Sequence, residues 1–509
     1  IASRYGLRRA QVEPVLGLLE SRGVLVRGEI RPGGVHTDWC DAEVLRRLKR
    51  MTLARLRNEV AAVEPATLGR FLPDWHGLLN PRQGPDALLE AVTQLQGLPL
   101  SWQTLVGQLL PARVAGFRVQ QLDMLCASGA IVWVGHSALG PRDGRIVLYL
   151  RNRFHELAAD LPDSVESLTS VLDERLQLDG DELAVAHTIV STLGRRGACF
   201  LLDLEDAVQL QHPGVAVASF ERALWALVWS GLLSNDTTAP LQQLGRRRSS
   251  TRVSAASRAG AARRNATLAG GRWSLLLGHA AANVNATEQA LARARMLLDR
   301  YGIVSRDAAA SESLPGGFGA VYPVLKQMEE SGRVRRGHFI DGLAGAQFAQ
   351  PGAVDRLRAA RGEDDEPWRD EHLLLIPAID PANPFGSLLP WPGLDAVVDD
   401  TNAPRESRRA SPRRVNNAWV VLARGLPALY VNAAGTALLS FASTFERFPE
   451  ALPAAARALT RLPRRAFGGR RSLLVEQVDG VPVRQSPLYE VLREAGFRSD
   501  YKGLGAPLP

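Results

Sequence analysis

Residues 18–26 read LLESRGVLV, an apolar helix end followed by a glycine and aliphatic residues, and this order returns three more times along the chain. A glycine just past a helix adopts the left-handed backbone at little cost, and the chain can then turn into a strand. The four glycines follow one another at intervals of 106, 102 and 101 residues, which indicates a repeated structural unit. The later copies are MLCASGAIV at 124–132, LVWSGLL at 227–233 and MEESGRV at 328–334.

The second copy shows the unit most completely. Its surroundings predict three helices and then two strands: Leu88–Leu95, a helix from Trp102, a helix opened by Gly116-Phe117, Ala130–Val134 and Arg145–Leu150. Three helices followed by a β-hairpin are the plan of a winged helix. The alternative, helical hairpins joined by unrelated loops, predicts no pair of strands after each glycine.

Past residue 365 the sequence changes to short apolar runs broken by Pro, Gly and Asn, which are typical of β-strands. Five or six strands and a terminal helix predict a compact barrel or sandwich. The predicted elements are Leu373–Ile379, Ala418–Leu422, Ala428–Asn432, Ala437–Phe441, Leu473–Val478 and the helix Leu488–Ala495.

The expected fold is therefore mainly α with β structure, with four to five tandem winged-helix modules followed by a C-terminal β-barrel. The stretch 241–272 is rich in Arg, Ser and Ala and too poor in apolar residues to pack, so it is interpreted as a flexible linker. The predicted domains are a truncated winged helix at 1–40, a basic helical module or short winged helix at 41–83, winged helices at 84–160, 161–240 and 273–364, and the β-barrel domain with its helix at 365–509.

Composition excludes several classes of protein. No apolar run reaches the ~18 residues of a membrane span, and no basic-then-apolar signal segment opens the chain. The 3 cysteines lie far apart and the 9 histidines form no ligand spacing, so neither a disulfide framework nor a metal site is predicted. We expect a cytoplasmic protein without a membrane partner.

The net charge of +8 favours a polyanionic partner such as a nucleic acid. Nearly all of this charge is arginine, since lysine occurs only at Lys49, Lys326 and Lys502, and a genomic bias toward arginine codons explains the excess equally well. No G-x-x-x-x-G-K-[ST] phosphate loop occurs, so this chain is not expected to hydrolyse ATP. Because it opens at Ile1 inside an apparently structured module, we interpret it as a piece of a longer protein.

Several segments resemble the large helicase-related proteins, the Lhr family. The most specific is the run Arg335–Phe348, and the others are Ser3–Leu7, Phe71–Trp75, Asp380–Gly386 and Val478–Val483. The resemblance implies an ATP-driven DNA motor outside this chain, with ATP and Mg²⁺ bound there and no cofactor here. It also implies homo-oligomers, tetramers included, and an architecture similar to AlkZ-like DNA glycosylases. Some members are uracil-DNA glycosylases with an aspartate near the C-terminus.

Base excision needs a carboxylate or amide that positions water against the sugar, together with a pocket for the flipped base. Asp500 is the first candidate because it matches the late aspartate of the family, and Tyr501 and Lys502 follow it. Asp380 and Asp479 are further candidates, although each is also typical of a turn, before proline and before glycine respectively.

AlkZ-like enzymes use a Gln-aliphatic-Gln motif, which Gln94-Leu95-Gln96 and Gln209-Leu210-Gln211 match. Because a three-residue pattern arises readily by chance, no catalytic role is assigned to either.

DNA contact is expected from the third helix of each module, which reads the groove, and from the wing, which contacts the backbone. The arginines of the linker add non-specific phosphate contacts. The predicted DNA-binding residues are Arg8, Arg9, Arg113, Arg118, Arg222, Arg335, Arg336, Arg246, Arg247 and Arg248.

Three functions follow from these observations. The first is a DNA-binding module that also assembles a DNA-repair helicase into a homo-oligomer, a tetramer by the resemblance. The second is a DNA glycosylase that excises a damaged base such as uracil. The third is an oligomerisation scaffold without affinity for DNA, which a missing salt dependence of binding would distinguish from the first.

Overall fold

The computed structural model describes residues 6–28, 30, 37–48, 51, 61–158, 161–244, 270–278, 285–362, 366–393, 411–463, 466–467 and 472–508. The chain divides into two compact units, Ile1–Ala62 and Val63–Pro509. This boundary falls inside the segment 41–83 that the sequence suggests is one module. No helix among the described residues is long and apolar enough to cross a lipid bilayer.

The first unit contains a helix followed by a hairpin. Gly23 ends the helix with a φ of 72°, as predicted for the glycine of the first copy. The helix leaves Val15 and Leu18 55% and 52% exposed, so its apolar face is only partly covered within this unit. Residues 42–48 are also helical. The paired elements are α1 Arg9–Ser21, β1 Leu25–Gly28 and β2 Asp38–Asp41.

The second unit opens with a helix, α2 (Pro65–Trp75), whose packing partners come much later in the chain. Phe71 is fully buried among apolar side chains of the stretch 290–389. An isolated parallel bridge also joins Val63 to Ile340. Burial of one large apolar side chain stabilises a fold by about 2 kcal/mol, so this helix is an integral part of the later core.

Close backbone contact fixes the other side of α2. A Cβ atom on Gly69 would overlap the carbonyl oxygen of Gly425, so only glycine permits this approach. Beside it, Arg70 donates hydrogen bonds to the carbonyl oxygens of Ala360 at 2.7 Å and Arg424 at 2.6 Å. The helix thereby connects two later parts of the unit.

The second module has the three helices and the hairpin expected from the sequence. Its sheet has the strand order β3-β5-β4. The hydroxyl of Ser101 accepts a hydrogen bond from the amide of Thr104 at 3.3 Å and caps the second helix, which includes a π-helical stretch at Leu105–Leu109. The elements are α3 Pro85–Leu95, β3 Leu100–Ser101, α4 Trp102–Thr104, α5 Leu110–Arg113, α6 Val119–Ala127, β4 Ile131–Ala138 and β5 Gly144–Leu150.

The third module repeats this order. In place of a first strand, Cys199 forms an isolated bridge with Trp273 in the last strand. Two short helices precede the module, α7 Phe154–Leu157 and α8 Val165–Arg175. The module itself contains α9 Gly180–Arg196, α10 Leu201–Gln211, α11 Val217–Trp229, β6 Leu233–Asn235, α12 Ala239–Leu244 and β7 Trp273–Leu275.

The arginine-rich stretch 241–272 is not a linker between modules. Strand β6 pairs antiparallel with β7, so the residues between them form an insertion within the third wing. The predicted boundary at residue 240 therefore separates two strands of one hairpin. The helix α12 occupies the start of the insertion, and residues 245–269 lie outside the described part of the chain.

The fourth module again contains a helix, a short strand, two helices and a hairpin. Its sheet order β8-β10-β9 corresponds strand for strand to that of the second module. The elements are α13 Ala286–Tyr301, β8 Ile303–Val304, α14 Arg306–Ser311, α15 Gly317–Glu330, β9 Arg335–Gly337 and β10 Gln347–Ala349, with α16 Ala353–Ala359 after them.

All four repeated glycines have the predicted left-handed backbone and precede a paired strand. The φ angles of Gly23, Gly129, Gly231 and Gly332 are 72°, 74°, 74° and 70°. A hairpin follows each of them. The winged-helix interpretation of the repeat is therefore confirmed in its helix–glycine–strand geometry, and helical hairpins with unrelated loops are excluded.

The C-terminal domain contains a six-stranded and a three-stranded sheet, ordered β11-β12-β13-β14-β16-β17 and β15-β19-β18. Strands β11 and β17 end the larger sheet and do not pair with each other in the described residues, so closure into a barrel stays a prediction. The elements are β11 Leu373–Pro377, β12 Trp419–Ala423, β13 Leu426–Val431, β14 Ala437–Ser440, α17 Ala442–Arg447, α18 Ala451–Leu459, β15 Ser472–Val475, β16 Gln477–Val478, β17 Val481–Pro482, α19 Tyr489–Glu494, β18 Arg498–Ser499 and β19 Leu504–Pro507.

Candidate functional site

The fourth module carries a basic surface on its third helix and wing. Arg335 and Arg336 lie exposed on β9, where the sequence predicts a wing contact, and Arg333 is exposed in the turn before them. The guanidinium of Arg336 lies 6.0 Å above the ring of Tyr322, a residue of α15. This cation–π contact holds the wing arginine against the helix that would enter a groove.

One lysine extends this surface along α15. Lys326 is exposed, and its ammonium lies 3.7 Å from the carboxylate of Glu330. Both side chains are more than half exposed, so solvent screens the pair and the lysine stays available to a phosphate. We call the set Lys326, Arg333, Arg335 and Arg336 the basic face of the fourth module.

The third helix of the second module exposes fewer charged side chains. Arg118 is exposed at its start, and the accessible positions that follow are Gln120, Met124 and Ala127, with Met124 71% exposed. A predicted DNA contact therefore lies on the surface here, but without the cluster of cations found in the fourth module.

The remaining predicted arginines have varied environments. Arg8 is exposed before α1, and Arg222 on α11 is ion-paired with Glu182. The side chain of Arg9 and all of Arg246, Arg247 and Arg248 lie outside the described residues.

Arg113 does not lie on the surface. Its side chain is 1% exposed, and it donates two hydrogen bonds to the carboxylate oxygens of Asp380, at 2.6 and 2.9 Å. This two-pronged geometry is the strong form of an Arg–carboxylate pair. The burial corrects the prediction that Arg113 contacts DNA: its charge is neutralised inside the protein.

The same contact corrects the prediction of a catalytic role for Asp380. The side chain is 0% exposed, and the amide of Ala382 donates a further hydrogen bond to it at 2.8 Å. Burial alone would raise the pKa of Asp380, but the guanidinium of Arg113 outweighs it and holds the pKa below its ordinary value. This carboxylate is an ionised structural group that substrate cannot reach.

A second arginine fixes the loop that carries Asp380. The guanidinium of Arg414 donates to the backbone carbonyls of Asn383 at 2.7 Å and of Asp380 at 3.1 Å. The amide of Asn383 donates in turn to the carbonyl of Ala378 at 3.1 Å. Burial lowers the pKa of Arg414. The Asp-Pro-Ala-Asn-Pro-Phe-Gly segment thus has a packing role, which its sequence does not reveal.

His76 completes this buried centre. Arg113 lies 3.1 Å from its Nδ1, and because a guanidinium can only donate, Nδ1 accepts and the proton is on Nε2. Burial, and then the charge of Arg113, lower the pKa of His76 well below its ordinary value, so the ring is neutral at pH 7. Sequence reasoning missed His76, which stands in no motif and lies 37 residues from Arg113.

The other two candidate carboxylates lie in exposed turns of the C-terminal domain. Asp479 has a φ of 51° in the β16–β17 turn and accepts hydrogen bonds from the amide and hydroxyl of Ser440, both at 2.7 Å. Asp500 lies between β18 and β19, where its carboxylate accepts from the amide of Lys502 at 3.2 Å. Tyr501 beside it is 94% exposed. The structure does not bring Asp500 together with Asp380 or Asp479 by any described contact.

The two Gln-aliphatic-Gln matches are held by hydrogen bonds within the protein. The amide of Gln94 donates to the carbonyl of Trp75 at 2.8 Å, and the backbone carbonyls of Gln94 and Gln96 accept from Arg300. In the second match, the side chain of Gln209 donates to the carbonyl of Val215 at 3.1 Å. These bonds favour packing roles. In the described residues there is also no group of three or more His, Cys, Asp or Glu side chains that could hold a metal ion.

Replacement of Arg113 by methionine should destabilise the second unit by about 3–5 kcal/mol, because Asp380 would stay buried without its counter-charge. Thermal unfolding followed by circular dichroism would measure the change. The matched control is Arg222→Met, which removes an ion pair whose arginine is 59% exposed and should cost no more than about 1 kcal/mol. An Arg113→Met variant as stable as the control would contradict this account of the buried pair.

Comparison with known proteins shows which proteins these modules are similar to. Models of the large helicase-related protein winged-helix domain match residues 63–151 and 283–369, which contain the second and fourth modules. The chain is 34% identical over 536 residues to the Escherichia coli (strain K12) protein named Lhr helicase/uracil glycosylase. It is 35% identical over 528 residues to the Mycolicibacterium smegmatis protein named Lhr helicase/probable uracil glycosylase.

Both alignments cover 99% of this chain but 32% of the relative, so the chain spans about a third of their length. The solved Streptomyces sahachiroi DNA glycosylase AlkZ covers 82% of this chain and 100% of its own, with a TM-score of 0.41 and 13% identity, a likeness too distant to bear on function. Nearly the whole chain is thus similar to about a third of two Lhr proteins, and two of its modules match winged-helix domains of the large helicase-related protein.

Proposed function

We propose that this chain is the DNA-binding part of an ATP-dependent DNA helicase of DNA repair. The observation that carries the proposal is the basic face of the fourth module, formed by the third helix and wing of a winged helix. In that fold the third helix enters the major groove and the wing contacts the backbone. ATP and Mg²⁺ belong, in this proposal, to a motor beyond this chain.

Electrostatics support contact with phosphates. Arg335 and Arg336 present planar guanidinium groups, which suit phosphate oxygens better than the point charge of an ammonium. Arg336 is held near Tyr322, so less side-chain freedom is lost on binding. With DNA as the partner and the 3 cysteines present as free thiols, the proposed compartment is the cytoplasm.

Salt dependence tests the DNA-binding proposal. Double substitution of Arg335→Gln and Arg336→Gln should weaken binding to duplex DNA of any sequence and reduce the slope of log K against log salt by about 1–2, since each lost phosphate contact removes about 0.9. Fluorescence anisotropy over a salt series measures this slope. The control is Arg295→Gln, an exposed arginine on the first helix of the same module. A slope equal to that of the unmodified chain would contradict the assignment of the basic face.

We also propose that copies of the chain assemble, as a homotetramer, through the third module. Large apolar side chains are exposed on and beside α10: Phe200 is 53%, Leu202 55%, Leu210 83% and Val217 51% exposed. Large apolar side chains left exposed on one helix and its flanks are typical of protein–protein contact surfaces. The proposed occupant of this surface is a second copy of the chain.

Light-scattering mass tests the assembly. The chain should have the mass of a multimer, and the double substitution Leu202→Asp and Leu210→Asp should reduce it to that of the monomer, because two carboxylates would lose their hydration in the interface. Met124→Asp, at an exposed methionine of the second module, is the control and should leave the mass unchanged. A monomeric unmodified chain rules the proposal out.

Uracil excision is the second candidate function, favoured by the names of both aligned relatives, each of which includes uracil glycosylase. The proposed acid is Asp500, an exposed carboxylate next to the exposed ring of Tyr501. Its position at a hairpin tip lets it approach a base that has left the duplex.

A uracil-containing strand tests this second candidate. Asp500→Ala should reduce formation of the abasic product by about 10²–10⁴-fold, the usual contribution of a positioned acid or base. Asp479→Ala removes another exposed turn carboxylate and should leave excision intact. If the unmodified chain yields no abasic product, excision is excluded while the DNA-binding proposal stands.

A further inference from the structure

A cavity of about 540 Å³ lies where the second, third and fourth modules meet. Its volume is within the range of about 300–1,000 Å³ that is typical of small-ligand sites. Strands β4 and β5 of the second module, the end of α11 and the helix α13 of the fourth module contribute to its lining. Neither the basic face nor the candidate carboxylates belong to it.

Close packing of the modules fixes the shape of this cavity. Gly135 and Gly97 line it, and a Cβ atom on Gly135 would overlap the carbonyl oxygen of Val228, while one on Gly97 would lie 2.7 Å from the sulfur of Met296. The three modules are therefore in close van der Waals contact at these two glycines. The cavity is formed before any ligand arrives.

Two aromatic side chains line it. Trp229 is half-buried and stacks on Trp225 with 5.1 Å between ring centroids, which fixes its orientation. Tyr149 is half-buried and meets Phe154 edge to face at 5.6 Å. Burial raises the pKa of the Tyr149 phenol, so the ring is uncharged at neutral pH.

The charge of the lining is positive. Arg293 is half-buried in it, and Arg175 and His136 are exposed around it. Glu312 supplies the one carboxylate among the described lining residues, and it is neutralised by an ion pair with Arg300 and by a hydrogen bond from the hydroxyl of Tyr301 at 2.6 Å. A basic side chain such as that of Arg293 beside aromatic rings is the combination that binds unstacked nucleotides.

We propose that this cavity holds one unstacked nucleotide of a DNA single strand, with its base against Trp229 and Tyr149 and its phosphate on Arg293. An apolar ligand would leave the Arg293 guanidinium without an anion, and a bare phosphate would make no stacking contact with the two aromatic rings. The proposal rests on the proposed DNA-binding function and adds to it a site for a base that has left the duplex.

The test compares single-stranded and duplex DNA on the full chain. Arg293→Gln should weaken binding of a short oligodeoxythymidylate about tenfold, equivalent to about 1.4 kcal/mol, and leave binding of a fully paired duplex within about twofold. The control is Arg295→Gln, two residues along the same helix and absent from the lining, which should change neither. Thymidine monophosphate should quench the tryptophan fluorescence of the unmodified chain, and Trp229→Phe should remove that quenching.

Each result decides the proposal. Equal weakening of single strand and duplex by Arg293→Gln would reduce the cavity to a general phosphate surface and overturn it, as would a matched RNA strand bound more tightly than DNA. A chain that binds duplex but not single strand overturns it while sparing the proposed function. If the chain binds neither single strand nor duplex, the proposed function fails. Quenching of tryptophan fluorescence by thymidine monophosphate would then still support the cavity site, and a lack of quenching would overturn it.

Discussion

Arg113 and Asp380 lie face to face in the interior, and the arrangement of the second unit depends on this contact. The guanidinium comes from the second helix of a winged helix, and the carboxylate comes from a loop of the C-terminal domain 267 residues later. Removing either partner would leave a charge buried without compensation, which is far more costly than the pair itself is stabilising. Around the pair, His76 accepts from Arg113 and Arg414 holds the loop carbonyls, so the orientation of the module and the conformation of the loop are fixed together.

Three modules share one plan but differ in their surfaces. The fourth presents arginines on its wing and a lysine on its third helix, the third presents apolar side chains on α10, and the second directs an arginine inward. The spacing of apolar residues and the glycine after the third helix specify the helices and the hairpin of a winged helix. The residue types at exposed positions are therefore free to vary. Different surface roles can therefore be divided among copies of a single fold.

Much of this fold is predictable because its signals are local. The glycine at the end of each third helix adopts the predicted backbone, and the strands after it pair as expected. The interior role of Arg113 is not predictable, since nothing near it indicates a partner 267 residues away. The third wing also escapes prediction: β7 is only three residues long, and its pairing with β6 across an arginine-rich insertion has no local signature. Of the candidate site, the wing arginines follow from the repeat, whereas His76 and Arg293 depend on contacts between distant segments.

Helix α2 has a consequence for how this protein is made. Its indole, at Trp75, donates a hydrogen bond to a carbonyl 224 residues further along the chain, and its other apolar side chains belong to the same late core. On the ribosome this helix emerges long before its partners, so it must stay undocked while the second and third modules are synthesised. The fourth module cannot complete its interior from its own sequence. Its interior is completed only when α2 packs against it, which closes a very long loop. This slow, non-local step of folding therefore takes place at the end of translation of this region.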